Sequence, residues 1–362
     1  MSSRIAPLDL LRGLAALTVA LAHFVSTQGS ADPLAPAIAK LGVEIFFVLS
    51  GFVLGAQLVF CASSGQARNL WIFLVRRWMR TVPPYLLALV LMSYATGQLG
   101  TGDFLRYALY VQNLFAPHNL RDYYPVAWSL SVEEWFYLVF PLFLFGLSRL
   151  SGVCHRRFLL IASLAFIVGI MALRASQGLP QAWDAEIRRI TLFRLDCIAC
   201  GFVLYLLVCR IEVRSHAAAE PLAAGLAFAV LAGATIWVAL LADRSVQVAQ
   251  YLFCFLAPVF GASAIWLFYL LQRYVENPTI GMVSRHLGQI SYSVYLFHLL
   301  VFIVVEPHVE NLSAELQLAA SFACLWAVSS IVYHYFEKPI LSARPDYSDP
   351  GAYPASHASR FA

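Results

Sequence analysis

Apolar runs of about 17 to 25 residues recur along the chain, the length a helix needs to cross a hydrocarbon core of roughly 30 Å at about 1.5 Å per residue. Ten such runs stand at approximately 8–27, 41–60, 81–97, 127–148, 157–174, 190–209, 221–242, 249–271, 287–305 and 315–335. With 12% charged against 60% hydrophobic residues in a chain of 362, there is too little charge to cover a soluble globule, so lipid must solvate most of the surface. Lipid cannot satisfy exposed backbone N–H and C=O groups, which leaves helices or a closed barrel, and a barrel would show alternating segments of about ten residues. The expected fold is all-α: a polytopic transmembrane helical bundle of about ten spanning helices. An amphipathic piece, 103–115, lies between the third and fourth spans.

With the N-terminus placed in the cytoplasm, the inside segments carry fifteen Lys and Arg and the outside segments seven, while Arg12 and Arg194 fall within spans. The excess of basic residues on cytoplasmic loops then puts both termini in the cytoplasm. The start of the chain has signal-peptide traits up to Ala20-Leu21-Ala22, but Asp9 and Arg12 interrupt it, and it reads as an uncleaved first span. Residues 1–340 form one membrane domain, and 341–362, rich in Pro, Ser and Ala, are expected to be a disordered cytoplasmic tail. Seven cysteines are scattered through or beside apolar helices; Cys197 and Cys200 form a C-x-x-C inside one, and they read as small buried thiols rather than a redox pair. The sequence contains no metal-ligand spacing, no nucleotide-binding glycine pattern, no internal repeat and no basic stripe for nucleic acid.

A charge near the bilayer centre costs about 2.5 to 3.5 kcal/mol on insertion scales, so each intramembrane ionisable residue is a functional candidate. Arg12 and His23 lie on the first span, Glu44 on the second, Glu133 and Glu134 on the fourth, Arg194 and Asp196 on the sixth, and His298 on the ninth. Eleven helical steps separate Arg12 from His23, which returns them to within about 20° of one direction and sets them roughly 16 Å apart. They share one helix face, with Arg12 at the cytoplasmic end and His23 in the outer half. Arg76, Arg77 and Arg80 precede Pro83-Pro84-Tyr85 on the cytoplasmic side. Two readings stand for this cluster: a fork for phosphate oxygens, or a positive-inside anchor. Arg194 and Asp196, two apart, point in different directions and are expected to pair with other helices; a structural clasp and a substrate contact are both open.

Arg12 to His23 is an R-x10-H pair directly after Pro7-Leu8-Asp9-Leu10-Leu11. With it stand Gly42-Val43-Glu44-Ile45-Phe46-Phe47-Val48-Leu49-Ser50-Gly51-Phe52, the Arg76 to Tyr85 stretch, and Trp128-Ser129-Leu130-Ser131-Val132-Glu133-Glu134-Trp135-Phe136-Tyr137. Phe193-Arg194-Leu195-Asp196, Ser291-Tyr292-Ser293-Val294-Tyr295-Leu296-Phe297-His298 and Phe336-Glu337-Lys338-Pro339 complete the set. In order and spacing these resemble the bacterial acyltransferase-3 family of integral-membrane O-acyltransferases. Glu44 stands where that family commonly has aspartate, and no soluble hydrolase-like domain follows the last span.

The resemblance implies an enzyme of the bacterial cytoplasmic (inner) membrane. Acyl-CoA, most often acetyl-CoA, is then the donor substrate, no cofactor is permanently bound, and the acceptor is a hydroxyl of an extracytoplasmic carbohydrate or glycolipid. On that footing His23 is the expected general base, with Glu134 as a second catalytic candidate, and Arg12, Arg76, Arg77 and Arg80 hold the donor's phosphates. Glu44, Trp128, Ser131, Arg194, Asp196 and His298 are the substrate-binding candidates. For Trp128 an interfacial-belt role is the alternative, and for His298 a bond to a backbone carbonyl or to Tyr292. The partners are the bilayer, the donor and the carbohydrate. A secondary transporter or flippase of a lipid-linked sugar is the competing class, since it also buries charge near the midplane.

Overall fold

The computed structural model describes residues 5–28, 32–117, 122–178, 182–208, 219–272 and 277–347. These residues build α1 (Ala6–Thr27), α2 (Leu34–Ser64), α3 (Ala67–Ala95), a short α4 (Gly102–Ala108), α5 (Ala127–Ser151), α6 (Arg156–Ala175) and α7 (Leu195–Val208). After them come α8 (Ala219–Asp243), α9 (Gln247–Leu270), α10 (Pro278–Val309), α11 (Ala314–Val332) and α12 (Lys338–Ser342), the last two joined by a π turn at Tyr333–Glu337. No strand occurs among the described residues, and the protein is an all-α, multi-pass membrane bundle.

Nine of the described helical stretches are long and apolar enough to cross a membrane. The expected span at 81–97 is missing from that set because it is the second half of α3, whose first half carries Arg76, Arg77 and Arg80 and whose interior holds Pro83 and Pro84. At 29 residues α3 is still long enough to traverse the bundle: its arginine end meets Gln57 and Pro345, and Ser93 near its other end bonds Tyr123. The amphipathic piece expected over 103–115 is helical only to Ala108; Tyr110 adopts φ 57° and turns the chain away.

Local chemistry sets several helix ends. Pro7 occupies the first turn of α1, where no N–H is needed. Asn277 accepts the Thr279 N–H at 3.0 Å and Pro278 starts α10, while the His155 ring accepts the Phe158 N–H at 3.1 Å to start α6. α2 stops at Gly65, with φ 61°, a left-handed position that glycine adopts without a Cβ clash.

α2 is the central helix, packed on α1, α7, α9 and α5. Its contact with α7 is backbone to backbone: a Cβ at Gly51 would strike the Ile198 carbonyl, and one at Gly201 the Val48 carbonyl. α1 is held between α2 and α10. At the rim, α8 turns Leu222, Leu226, Val230 and Trp237 outward, as a lipid-facing helix does. Of the tail expected from 341, residues to 347 seat against α2 and α3, with Tyr347 edge-on to Phe60; residues 348–362 lie outside the described residues, as do Arg4, Arg121, Cys209, Arg210, Arg214, Arg273 and Arg360.

Candidate active site

Two cavities lie in series along α1. The first is narrow, about 60 Å³, and is walled by Arg12 of α1, Ser50 of α2, Arg77, Arg80 and Thr81 of α3, Glu133 and Tyr137 of α5, and Ser291 and Tyr295 of α10. Arg12 and Arg80 make no hydrogen bond or ion pair among the described residues, and Arg77 bonds only the Gln57 amide oxygen, at 3.2 Å. The carboxylate in this wall is Glu133, which accepts from Ser50 Oγ at 2.7 Å and from the Tyr137 hydroxyl. Three guanidiniums facing one carboxylate leave the cavity strongly positive in surroundings of low dielectric, where such an excess attracts anions.

The second cavity is wider, about 380 Å³, and is walled by His23, Lys40, Trp128, Asp184, Arg188, Arg189, Asp243 and Tyr295. Val43 and Tyr295 line both cavities, so the two meet across those side chains. Here the charges answer one another. Lys40 Nζ lies 2.5 Å from Asp243, and Asp184 accepts from Arg188 Nε at 2.5 Å and from Arg189 Nε at 2.7 Å. Burial by itself would raise the Asp184 carboxyl, but Arg188, Arg189 and Lys40 outweigh it and hold the group well below the usual carboxylate range.

At the junction of α1 and α10 stand two histidines with near-parallel rings, His23 Nδ1 lying 2.8 Å from His298 Nε2. His298 is fully buried, and its Nδ1 faces the carbonyls of Tyr295 at 2.9 Å and Val294 at 3.2 Å. A carbonyl only accepts, so in a neutral ring that nitrogen carries the hydrogen and His298 Nε2 offers a lone pair. His23 Nδ1–H donates to it, which leaves His23 Nε2 with a free lone pair. The backbone of α10 thus fixes the tautomer of a half-buried imidazole on α1 through one intervening ring.

The other expected site residues fall into place around this axis. Trp128 lines the histidine cavity, but the Arg188 guanidinium carbon lies 4.5 Å from its ring centroid, so that face is already covered. Glu44 and Arg194, both fully buried, pair with each other, and Asp196 pairs with Arg174 at 2.9 Å. The two residues of the Arg194/Asp196 pair therefore do reach different helices, and neither they nor Glu44 line either of these two cavities. Ser131 accepts from Gln112 Nε2 at 2.7 Å and is buried away from both cavities. Glu134 diverges from Glu133 because adjacent helical positions differ by about 100°. It turns to Thr81 of α3, is buried, lines neither cavity, and keeps Oε2 without a partner among the described residues. Arg76 also stays out of the arginine cavity, with its Nη1 on the Pro345 carbonyl at 2.5 Å.

No individual role was legible in sequence for Lys40, Arg188 and Arg189, nor for Ser50, Glu133 and Tyr137, although the last three stand within the motifs that carry the resemblance. The i, i+4 spacing of Glu133 and Tyr137 was a usable signal, since it stacks both on the face that meets the arginines. Nothing local marks Arg188 and Arg189, which in sequence look like ordinary loop cations.

Comparison with known proteins agrees with the motif set. The acyltransferase domain model of the acyltransferase-3 family matches residues 5–335. The chain belongs to this family. Peptidoglycan O-acetyltransferase OatA of Listeria monocytogenes is 30% identical over 153 residues, 38% of this chain and 24% of OatA. Nodulation protein 10 of Rhizobium leguminosarum bv. viciae is 28% identical over 164 residues, 38% of this chain and 43% of that protein. The chain thus spans less than half the length of either. The candidate membrane-bound transacylase BcsY of Komagataeibacter xylinus is 28% identical over 307 residues, 80% of this chain and 71% of its own. No solved structure matches.

Proposed function

We propose that this acyltransferase-3 family chain moves an acetyl group from acetyl-CoA on the cytoplasmic face of the inner membrane to a hydroxyl of a carbohydrate on the other face. The observation that carries the reading is the series of two cavities, one walled by Arg12 and Arg80, which have no partner among the described residues, and the other by His23, whose ring is bonded to the buried His298. Phosphates of the donor bind at Arg12, Arg77 and Arg80, and the narrow arginine cavity admits a slender pantetheine arm. The arm ends beside His23, since Arg12 and His23 are roughly 16 Å apart along α1. Both termini are cytoplasmic in this reading, in accord with the excess of basic residues on that side.

The step needs a base near neutrality, and His23 Nε2 supplies its lone pair. The acceptor O–H proton passes to Nε2 as the oxygen attacks the thioester carbonyl, forming a C–O bond and a tetrahedral centre. That centre collapses with cleavage of the C–S bond, and the CoA sulfur leaves with the proton held on His23. His298, hydrogen-bonded to the other nitrogen, keeps Nε2 aimed at the cavity and stabilises the transient imidazolium.

The test is transfer in sealed, oriented vesicles, with labelled acetyl-CoA supplied to the arginine-cavity face and a membrane-impermeant glycan to the opposite face. Label on the glycan is the expected result. Acetylation solely of glycan on the donor's own side overturns the transmembrane route, and movement of glycan without label favours a transporter.

A further inference from the structure

We infer that the carbohydrate acceptor carries an anionic group, a carboxylate or a phosphate, and that Arg188 receives it in the histidine cavity; this rests on the transfer reading above. The wall of that cavity holds three basic side chains, Lys40, Arg188 and Arg189, against two carboxylates, Asp184 and Asp243, with Asp122 as a third carboxylate on Arg189. Most of the cations are satisfied from within. Lys40 is clasped by both oxygens of Asp243 at 2.5 Å, and Arg189 spans Asp184 at 2.7 Å and Asp122 at 3.3 Å.

Arg188 is the exception. It is 4% exposed, donates through Nε to Asp184 at 2.5 Å, and leaves Nη1 with no partner among the described residues. Asp184 cannot make up the difference, because it already serves Arg189 and lies 3.9 Å from Lys40. A guanidinium does not lose its proton to escape burial, and buried donors are rarely left without acceptors. The guanidinium carbon stands 4.5 Å from the Trp128 ring centroid, so the N–H groups not spent on Asp184 are the ones a planar or tetrahedral oxyanion would engage. The histidine pair beside it supplies no counter-charge, since an imidazole is never negative here in either protonation state.

Trp128 supports the same conclusion from the other direction. A tryptophan walling a sugar cavity ordinarily offers its face to the pyranose ring, but here one face is occupied by Arg188 and the ring also meets Phe47 edge-on at 5.8 Å. Recognition at this position is therefore by charge, with the indole serving to orient the arginine.

The experiment uses the full-length protein and three oligosaccharides of equal length: neutral, uronate-bearing and phosphate-bearing. Binding without donor and transfer from acetyl-CoA are both measured. One or both charged acceptors should bind at least tenfold more tightly than the neutral one and show a correspondingly lower KM; which of them does so identifies the source of the anion. Arg188→Gln should bring the charged acceptor's KM up to that of the neutral one, and Arg188→Lys should restore part of the difference. CoA affinity, read at the other cavity, reports that each variant is folded. Equal binding of charged and neutral acceptors overturns the inference, as does an Arg188→Gln loss confined to kcat and equal on all three, which would make Arg188 a stabiliser of the tetrahedral centre. Charged-selective binding without any transfer would instead sink the acetyltransferase reading and leave the anion site standing.

Discussion

The two cavities are both positive but are built differently. In the arginine cavity Arg12 and Arg80 stand without hydrogen-bond or ion-pair partners among the described residues, and the local carboxylate, Glu133, is already engaged by Ser50 and Tyr137. In the histidine cavity most charges are matched, by Lys40 with Asp243 and by Arg189 with Asp184 and Asp122, and Arg188 keeps an unmet nitrogen beside its bond to Asp184 among the described residues. Unpartnered guanidiniums suit a highly charged ligand that arrives and leaves, since its phosphates supply what the wall lacks. Matched charges around an uncharged imidazole suit chemistry, because preorganised dipoles need little rearrangement when charge develops. Binding and catalysis are thus divided along α1, and substitutions at its two ends should separate them.

The largest effect is expected at His23. His23→Ala removes the base and leaves the arginine cavity intact, so transfer should fall by about 10² to 10⁴ while CoA affinity stays at the wild-type value. Near-normal turnover would break the division at once. His298→Ala should follow, with about a ten- to hundredfold loss of rate, because the imidazole that it orients remains in place. As a positioning residue it has a sharper signature: the pH–rate profile should move, since His23 loses the acceptor that fixes its tautomer. An unchanged profile would reduce His298 to packing.

At the opposite end, Arg12→Ala should weaken CoA binding by about tenfold, the order expected for loss of a charge-assisted hydrogen bond. Raised salt should weaken wild-type binding as well, by screening the phosphate contacts. The same substitution should leave the rate at saturating donor near normal, the reverse of His23→Ala. Unchanged affinity in both Arg12→Ala and Arg77→Ala would make the cluster a topology anchor and nothing more.

The fold was largely legible, because the need to satisfy backbone groups in lipid leaves little choice once the apolar runs are marked. The misread element was α3, where Arg76, Arg77 and Arg80 interrupt the hydropathy of a helix that continues through them. At the site, Arg12 and His23 were readable because one helix carries both and its period fixes their shared face. The His23–His298 bond was not, since it joins residues 275 apart on helices whose register depends on packing as close as that of Gly288 against Asp9. Choosing between Glu133 and Glu134 required the rotation of α5, which two adjacent carboxylates do not reveal. Arg188 escaped notice for a related reason: it lies in the segment between α6 and α7, and only folding carries it over Trp128.

The smallest effect sharpens the comparison most, because it asks where the arginine cavity ends. Arg76 belongs to the same sequence cluster as Arg77 and Arg80, and on spacing alone the three were expected to act together. In the fold it turns outward: Nη1 bonds the Pro345 carbonyl at 2.5 Å, lies 3.6 Å from Asp346, and the guanidinium carbon stands 5.4 Å from the Tyr347 ring centroid. Its partners are thus the chain's own C-terminal segment, and Asp346 is almost wholly solvent-exposed, so their ion pair is of the weak surface kind. Arg76→Ala should therefore change CoA affinity by about threefold or less, measured in the same titration as Arg12→Ala. A loss as large as that of Arg12→Ala would mean that residues 345–347 brace the donor-binding surface and that the cavity extends to the C-terminal segment. Deleting the chain after Arg344 would then reproduce the defect, because the carbonyl, carboxylate and ring that hold Arg76 would all be gone.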